Sequence, residues 1–395
     1  MTFGGKTIGK IDGKNVFIPY TLPGETLEIN IIESKKDYDN AEIVNIIEPS
    51  KYRVEPACKY YGKCGGCNMM HIAPEYQREL RKEMLVDIYN QNGIDISDKT
   101  DIVYGPETNY RARFQLNDGG LSERNSNIIV PVENCLCAEK PVNEYLENTD
   151  FNARPKGRIH LFGSSYAENQ LKISYSEAEP KKSVQTKMKG GKKLKIKENH
   201  YFAGTVLSPE NTISVNINKK TLSFDVRGFF QSNLFVFEKV TQLILDNLPG
   251  GENILDMYSG CGSISTFLTE KYNNVVLVEH NRDALVYAEQ NLSGTGHISY
   301  GLSGASWVKT CSQYCGKFDA CVVDPPRSGM EKEVRDYLCK SGIPKIISLS
   351  CDPATHARDC ASLIKAGYDM KKIYLLDFYP NTSHIESMAV FKLKL

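Results

Sequence analysis

From about Phe224 to the C-terminus, short apolar strands alternate with amphipathic helices, a pattern that a mainly parallel sheet covered by helices accommodates. Strands are predicted over 253–258, 275–278, 318–323, 346–350 and 387–391, and helices over 264–272 and about 355–366. Open sheets of this kind hold ligands beyond the carboxyl ends of their strands. The polar groups that close the strands are therefore the first candidates for function: Glu279, Asp324 and Cys351, with Glu386 opening the last strand.

Each of these types has a chemical use at a sheet edge. A helix N-terminus just beyond Cys351 is expected to favour its thiolate, the form that attacks carbon electrophiles, so Cys351 is a candidate nucleophile. The turn Ser259-Gly260-Cys261-Gly262-Ser263 lets a ligand approach the backbone, and Glu279, one strand later, can accept ribose hydroxyls. A nucleoside cofactor follows. The turn lacks the G-x-G-x-x-G of dinucleotide sites, which favours S-adenosylmethionine over NAD. Asp324-Pro325-Pro326 forms a rigid lip that can contact a cofactor or a planar base. Glu386, if partly desolvated, can serve as a general base.

The N-terminal half is organised differently. Residues 15–19, 26–31 and 40–46 read as short strands between Gly, Pro and Asp/Asn turns, which fits a small OB-like barrel with Lys6, Lys10, Lys14, Lys35 and Lys36 in its loops. Cys58, Cys64 and Cys67 form a C-x5-C-x2-C run able to wrap one metal centre, with Cys135 or Cys137 as the fourth ligand. Zinc and an iron–sulfur cluster both accept four thiolates. His71 is an alternative ligand, but it is expected rather to cap the helix that follows, over 74–92, which Pro74 opens and Gly93 ends. Strands are then predicted over 111–116, 127–130, 158–162 and 171–175, making a β-rich central unit. Within it the basic run Lys181 to Lys197, turning at Gly190-Gly191, is a solvated hairpin tip or an RNA phosphate contact.

Composition narrows the class. Forty-eight basic residues balance 48 acidic ones, so any nucleic-acid site must be a local patch. The first residues lack the apolar core of a signal peptide, and no apolar run approaches the ~20 residues of a membrane span. A cytoplasmic, non-membrane protein is expected, in which the 12 cysteines serve as ligands, nucleophiles and core filler rather than disulfides.

Taken together, the motifs resemble the RNA uracil-5 methyltransferase family. The resemblance rests on the TRAM-like start F-G-G-K-T-I-G-K, the cysteine run, F-F-Q-S-N, D-M-Y-S-G-C-G-S, D-P-P-R-S-G-M, S-C-D-P-A-T-H-A-R-D and H-I-E, and spans most of the chain. It implies a TRAM-like OB barrel over 1–50, a central β-rich domain with a cysteine metal cluster over 51–225, and a Rossmann-like α/β methyltransferase domain over 226–395. Helix 74–92 would pack on the last of these. The resemblance further implies Cys351 as nucleophile and Glu386 as proton acceptor, with Gln231, Tyr258, Glu279 and Asp324 binding S-adenosylmethionine. Cys58, Cys64, Cys67 and Cys135 would hold a four-iron four-sulfur cluster. The implied substrate is RNA, with 23S rRNA favoured and transfer RNA the alternative, and the implied state is a monomer. A non-catalytic RNA-binding assembly factor that keeps the fold is the rival from another class.

Overall fold

Unbroken apolar strands such as Val275-Val276-Leu277-Val278 must be covered on both faces, and in the computed structural model they are. The structure describes residues 1–175 and 209–394. The central sheet runs, in spatial order, through His297–Tyr300, Tyr272–Val278, Gly251–Met257, Ala320–Val323, Lys345–Ser350, Glu386–Leu393, Tyr368–Leu376 and Thr100–Val103. The first five are parallel, and Glu386–Leu393 runs antiparallel to both its neighbours. Alternate side chains feed two cores. Ile254, Val275, Leu277, Val322 and Ile347 face one, together with helices Leu234–Asn247 and Arg282–Asn291. Leu255, Val276, Val278, Cys321 and Ile346 face the other, against Trp307, Leu338 and Leu363.

The second core also takes the helix Pro74–Gln91, which Pro74 opens; the chain turns just beyond it at Gly93, in the left-handed conformation at φ 74°. Its Leu80, Met84, Leu85 and Tyr89 are buried there, and it lies against the helix Pro353–Lys365 that follows Cys351. Ala73 is the N-cap and has no side-chain bond, so His71 does not cap this helix; the Gln77 amide instead donates to the Ile72 carbonyl.

The structure differs from the sequence reading at three further places. The helix expected over 264–272 is a single turn, Ser265–Leu268, because Tyr272 already pairs with Gly251 in the sheet. The strand Thr100–Val103 carries no alternation strong enough to mark it, yet it pairs in parallel with Ile373–Leu376 and ends the sheet. The hairpin Thr212–Ile217 and Lys220–Asp225, expected with the central unit, sends Ile213, Val215, Leu222 and Phe224 into the same core as Leu285. The catalytic body thus draws on residues before 226.

At the N-terminus four strands, Lys6–Ile11, Lys14–Pro19, Thr26–Ser34 and Tyr38–Glu48, pair in the order first, second, fourth, third. They enclose a small core of Val16, Ile18 and Ala41 with Leu27, Ile29 and Ile43. Among the described residues the first and third strands are unpaired with one another, so this small barrel-like sheet stays open at that edge. Lys6, Lys10 and Lys14 stand on strands, not in loops. In the centre, Arg113–Asn117, Arg158–Gly163 and Leu171–Tyr175 form an antiparallel sheet under the helix Lys140–Asn148, whose Val142 and Leu146 meet Phe114, Leu116, Ile159 and Leu161. The strand expected over 127–130 shrinks to Ile129–Val130. The basic run Lys181 to Lys197 lies outside the described residues. No described helix is long and apolar enough to cross a membrane.

Candidate active site

Register decides which side chains meet at the sheet edge. Ser350 pairs with Ser387 across the antiparallel ladder, so Cys351, leaving its strand, stands opposite Glu386, which begins the next. Met257 pairs with both Val323 and Val278, which sets Tyr258, Asp324 and Glu279 in one row along the same edge. Gln231, Asp324, Ser350, Phe378 and Glu386 line a small recess there.

The glycine turn is built by positive backbone angles at Tyr258 (φ 66°), Gly260 (φ 58°) and Gly262 (φ 73°). Gly262 is required twice over. Besides its φ, a Cβ there would lie 2.8 Å from Leu292 and 3.1 Å from the Ala288 methyl, so the turn could not seat on the helix Arg282–Asn291. Glu279 is buried and pinned: the Gly260 N–H donates to its Oε2 (3.0 Å) and the Asn281 N–H to its Oε1 (2.6 Å). The Tyr258 hydroxyl accepts the Glu331 N–H at 3.2 Å.

The electrostatics run against one expectation. Asp352 caps the helix after Cys351, accepting from the N–H groups of Ala354 (3.1 Å) and Thr355 (2.9 Å), so the helix amides serve a carboxylate instead of the thiol. Burial, then Glu386 and Asp324, push the Cys351 thiol up to about 11, with Arg327 opposing them. Burial and the neighbouring Asp324 raise Glu386 to about 8, again against Arg327. Burial alone lifts Asp324 to about 6. Beneath the turn, burial raises Asp256 to about 7 despite a hydrogen bond from the Ser265 hydroxyl. Acids that resist ionisation in the free protein would ionise beside a bound cation.

Two side chains that the sequence left without a role hold or tune this edge. His356 is buried between Ser387 (Nδ1 to Oγ, 2.7 Å) and Ser348 (Nε2 to Oγ, 3.2 Å), tying the strand before Cys351 to the Glu386 strand, and burial keeps it neutral by lowering it to about 4. Arg327 is the cation that offsets the carboxylates. Its place right after the two prolines was the available signal.

The chain is 34% identical over 99% of its length to an uncharacterized RNA methyltransferase of Treponema denticola, 97% of which is covered. The family model described as tRNA (Uracil-5-)-methyltransferase matches residues 311–394, which contain Asp324, Cys351 and Glu386. The chain belongs to the RNA uracil-5 methyltransferase family. As a member of that family it is an S-adenosylmethionine-dependent RNA methyltransferase. Models of a TRAM domain and a methyltransferase small domain match residues 2–44 and 229–340. The chain is also 29% identical to the 23S rRNA (uracil(1939)-C(5))-methyltransferase RlmD of a Shewanella species, covering 98% of this chain and 93% of that one. The fold is shared with the tRNA (uracil-54, C5)-methyltransferase of Pyrococcus abyssi, solved with S-adenosyl-L-homocysteine, at TM-score 0.70 and 19% identity over 98% of this chain and 100% of the other.

In this methyltransferase the cysteines of the N-terminal half converge. Cys58, Cys64, Cys67, Cys135 and Cys137 line one cavity of about 440 Å³, with the sulfurs of Cys67 and Cys137 3.7 Å apart. Among the described residues no three His, Cys, Asp or Glu side chains gather closely enough to hold a single metal ion. His71 does not line this cavity; its Nδ1 lies 2.6 Å from the hydroxyl of Tyr61, which does, and burial lowers it to about 4.

Proposed function

We propose that this enzyme methylates carbon 5 of one specific uridine in 23S rRNA through a covalent bond between Cys351 and the uracil. The observation that carries the reading is the register that sets Cys351 opposite Glu386 at the carboxyl edge, beside the glycine turn. The buried Ser259 hydroxyl and the Gln231 carbonyl oxygen have no partner among the described residues, and Glu279 keeps lone pairs beyond its two backbone bonds. With Tyr258 and Asp324 they fit a nucleoside cofactor that carries hydroxyl donors and a positive charge. S-adenosylmethionine, when bound, supplies an electrophilic methyl group and a positive charge that favours the ionised forms of Cys351 and Glu386.

Carbon 5 of a uracil is a poor nucleophile. The Cys351 thiolate, having lost its proton to solvent, adds to carbon 6; the ring electrons move onto the carbonyl, and carbon 5 becomes an enolate-like attacker. After methylation carbon 5 holds one proton too many. Glu386, as carboxylate, takes that proton, the double bond re-forms, and the bond to Cys351 breaks to return the thiolate. A carboxyl raised to about 8 is matched to this task near neutral pH. The target base has to leave its stack to reach a recess at a sheet edge.

Cys58, Cys64, Cys67 and Cys135 are the proposed ligands of a four-iron four-sulfur cluster. A single zinc ion needs its sulfurs about 2.3 Å away on every side. Thiolates spread around a broad cavity fit a polynuclear centre instead. When bound, such a centre ties residues 58–67 to residue 135. The chain is read as a monomer working in the cytoplasm. Incubation with unmodified 23S rRNA, transfer RNA and methyl-labelled cofactor, followed by mapping of the labelled nucleotide, tests the substrate. Label at one 23S uridine is expected, while label confined to transfer RNA, or none in either, would overturn the reading. Visible absorbance, lost in Cys135→Ala and kept in Cys137→Ala, is expected of the cluster.

A further inference from the structure

The loop 377–385 joins the strand Tyr368–Leu376 to Glu386, and its polar groups are met from far outside the sheet. Arg81, on the helix Pro74–Gln91, donates twice to Asp377 (2.7 and 2.8 Å). The Tyr110 hydroxyl donates to the Pro380 carbonyl (2.9 Å). Gln77 exchanges two bonds with Asn381, taking the Asn381 N–H at 2.9 Å and giving its amide to Asn381 Oδ1 at 3.1 Å. The N–H groups of Asn68 and Met69 both donate to the Asn381 carbonyl (3.1 and 3.0 Å). The Asn68 side chain accepts the Ser383 N–H and donates to the Ser383 hydroxyl, each at 2.9 Å. Asn381 itself is held at φ 66°, a conformation that persists only where surroundings over-determine it.

Of these gripping residues, Tyr110 also walls the cysteine cavity. Asn68 directly follows Cys67, and Tyr110 packs with Met70, Cys137, Cys67, Cys58 and Cys135 in one apolar cluster. The loop they hold carries Tyr379, whose ring lies 5.9 Å from the Arg111 guanidinium and 5.7 Å from the His384 ring, and it delivers Glu386 to the edge. A link between residues 58–67 and 135 closes a long loop, so its removal frees the segment that presents Asn68.

We propose that Asn68 and Tyr110 are positioning residues through which filling of the cysteine cavity sets the loop 377–385, and with it Glu386. Emptying the cavity then stops methylation while the cofactor site at the glycine turn is left intact. This rests on the assignment of the cysteines as ligands and of Glu386 as base. The test follows hydrogen exchange of the 377–386 amides by mass spectrometry, alongside iron content, cofactor affinity, kcat and the RNA KM. Removing the metal with a chelator is expected to speed exchange of that loop about tenfold, the scale of one lost buried hydrogen bond, with cofactor affinity unchanged. Tyr110→Phe removes the bond to Pro380 together with the hydroxyl's contact to the Cys137 thiol, and Asn68→Asp removes the amide that donates to the Ser383 hydroxyl and the Gly4 carbonyl. Both are expected to retain iron, to loosen the same loop, and to lower kcat about tenfold with the RNA KM held. Unchanged loop exchange after metal removal, or in both variants, overturns the proposal. So does loosening that appears in the two variants only where they have lost iron, which marks a general folding role. A Glu386→Gln enzyme that still turns over would remove the base assignment and leave the exchange result standing, so the two failures are distinguishable.

Discussion

At the residue scale the proposed chemistry lies between one thiol and a handful of carboxyls. Glu386→Gln should let Cys351 add and carbon 5 take its methyl group, then stall, so a protein–RNA adduct carrying the methylated base accumulates on denaturing gels; free product at the wild-type rate would contradict this. The raised carboxyls also set a pH dependence. A folded-state pKa above its unfolded value means that the native protein binds the proton more tightly, so the stability it contributes is full below about pH 4 and lost as pH rises through the folded value. For Asp324, Asp256 and Glu386, at about 6, 7 and 8, the unliganded enzyme should melt at lower temperature at pH 8.5 than at pH 5.5. Melting curves check it, and a flat profile would contradict it. Cys351 and Glu386 were legible as candidates because each sits at the end of an apolar strand. The upward shift of the thiol was not, since Asp324 and Glu386 reach it from strands remote in sequence and Asp352 takes the helix amides.

At the element scale the glycine turn is the least tolerant piece. Gly262→Ala forces a non-glycine residue into the left-handed region, about 1–3 kcal/mol, and drives a methyl against Leu292 and Ala288. Lower stability in urea and weaker cofactor binding by calorimetry are the expected outcomes. The turn and its strand were readable from the sequence, because small residues between two apolar runs leave few alternatives. The short helix after it was overextended, because strand pairing at Tyr272 overrides local helical pattern. Thr100–Val103 escaped notice for a related reason: four residues at a sheet edge, with only Thr100 buried, leave almost no alternation.

At the scale of the whole molecule, the helix Pro74–Gln91 fastens the N-terminal half to the catalytic sheet. Its apolar face was legible from the spacing of Tyr76, Leu80, Met84 and Ile88. Arg81 and Gln77, buried polar residues on the same helix, gave no signal, because their partners Asp377 and Asn381 lie some 300 residues onward. Arg81 and Asp377 have side-chain exposures of 1% and 2%, so Arg81→Ala leaves a buried carboxylate unpaired and should cost about 3–5 kcal/mol in urea titrations. Replacing both members with apolar residues should cost less. The four-stranded sheet at the N-terminus stays open at one edge, because strand patterns fix which segments pair far better than whether the last edge closes. The proposed reaction unites the molecule at a sheet edge, where one sulfur would meet a pyrimidine. RNA containing 5-fluorouridine tests that most directly, since fluorine at carbon 5 cannot be removed as a proton and the adduct is trapped. With cofactor present, digestion and mass spectrometry should find the nucleotide on the peptide containing Cys351, whereas attachment to any other residue, or undiminished trapping in Cys351→Ala, would contradict the account.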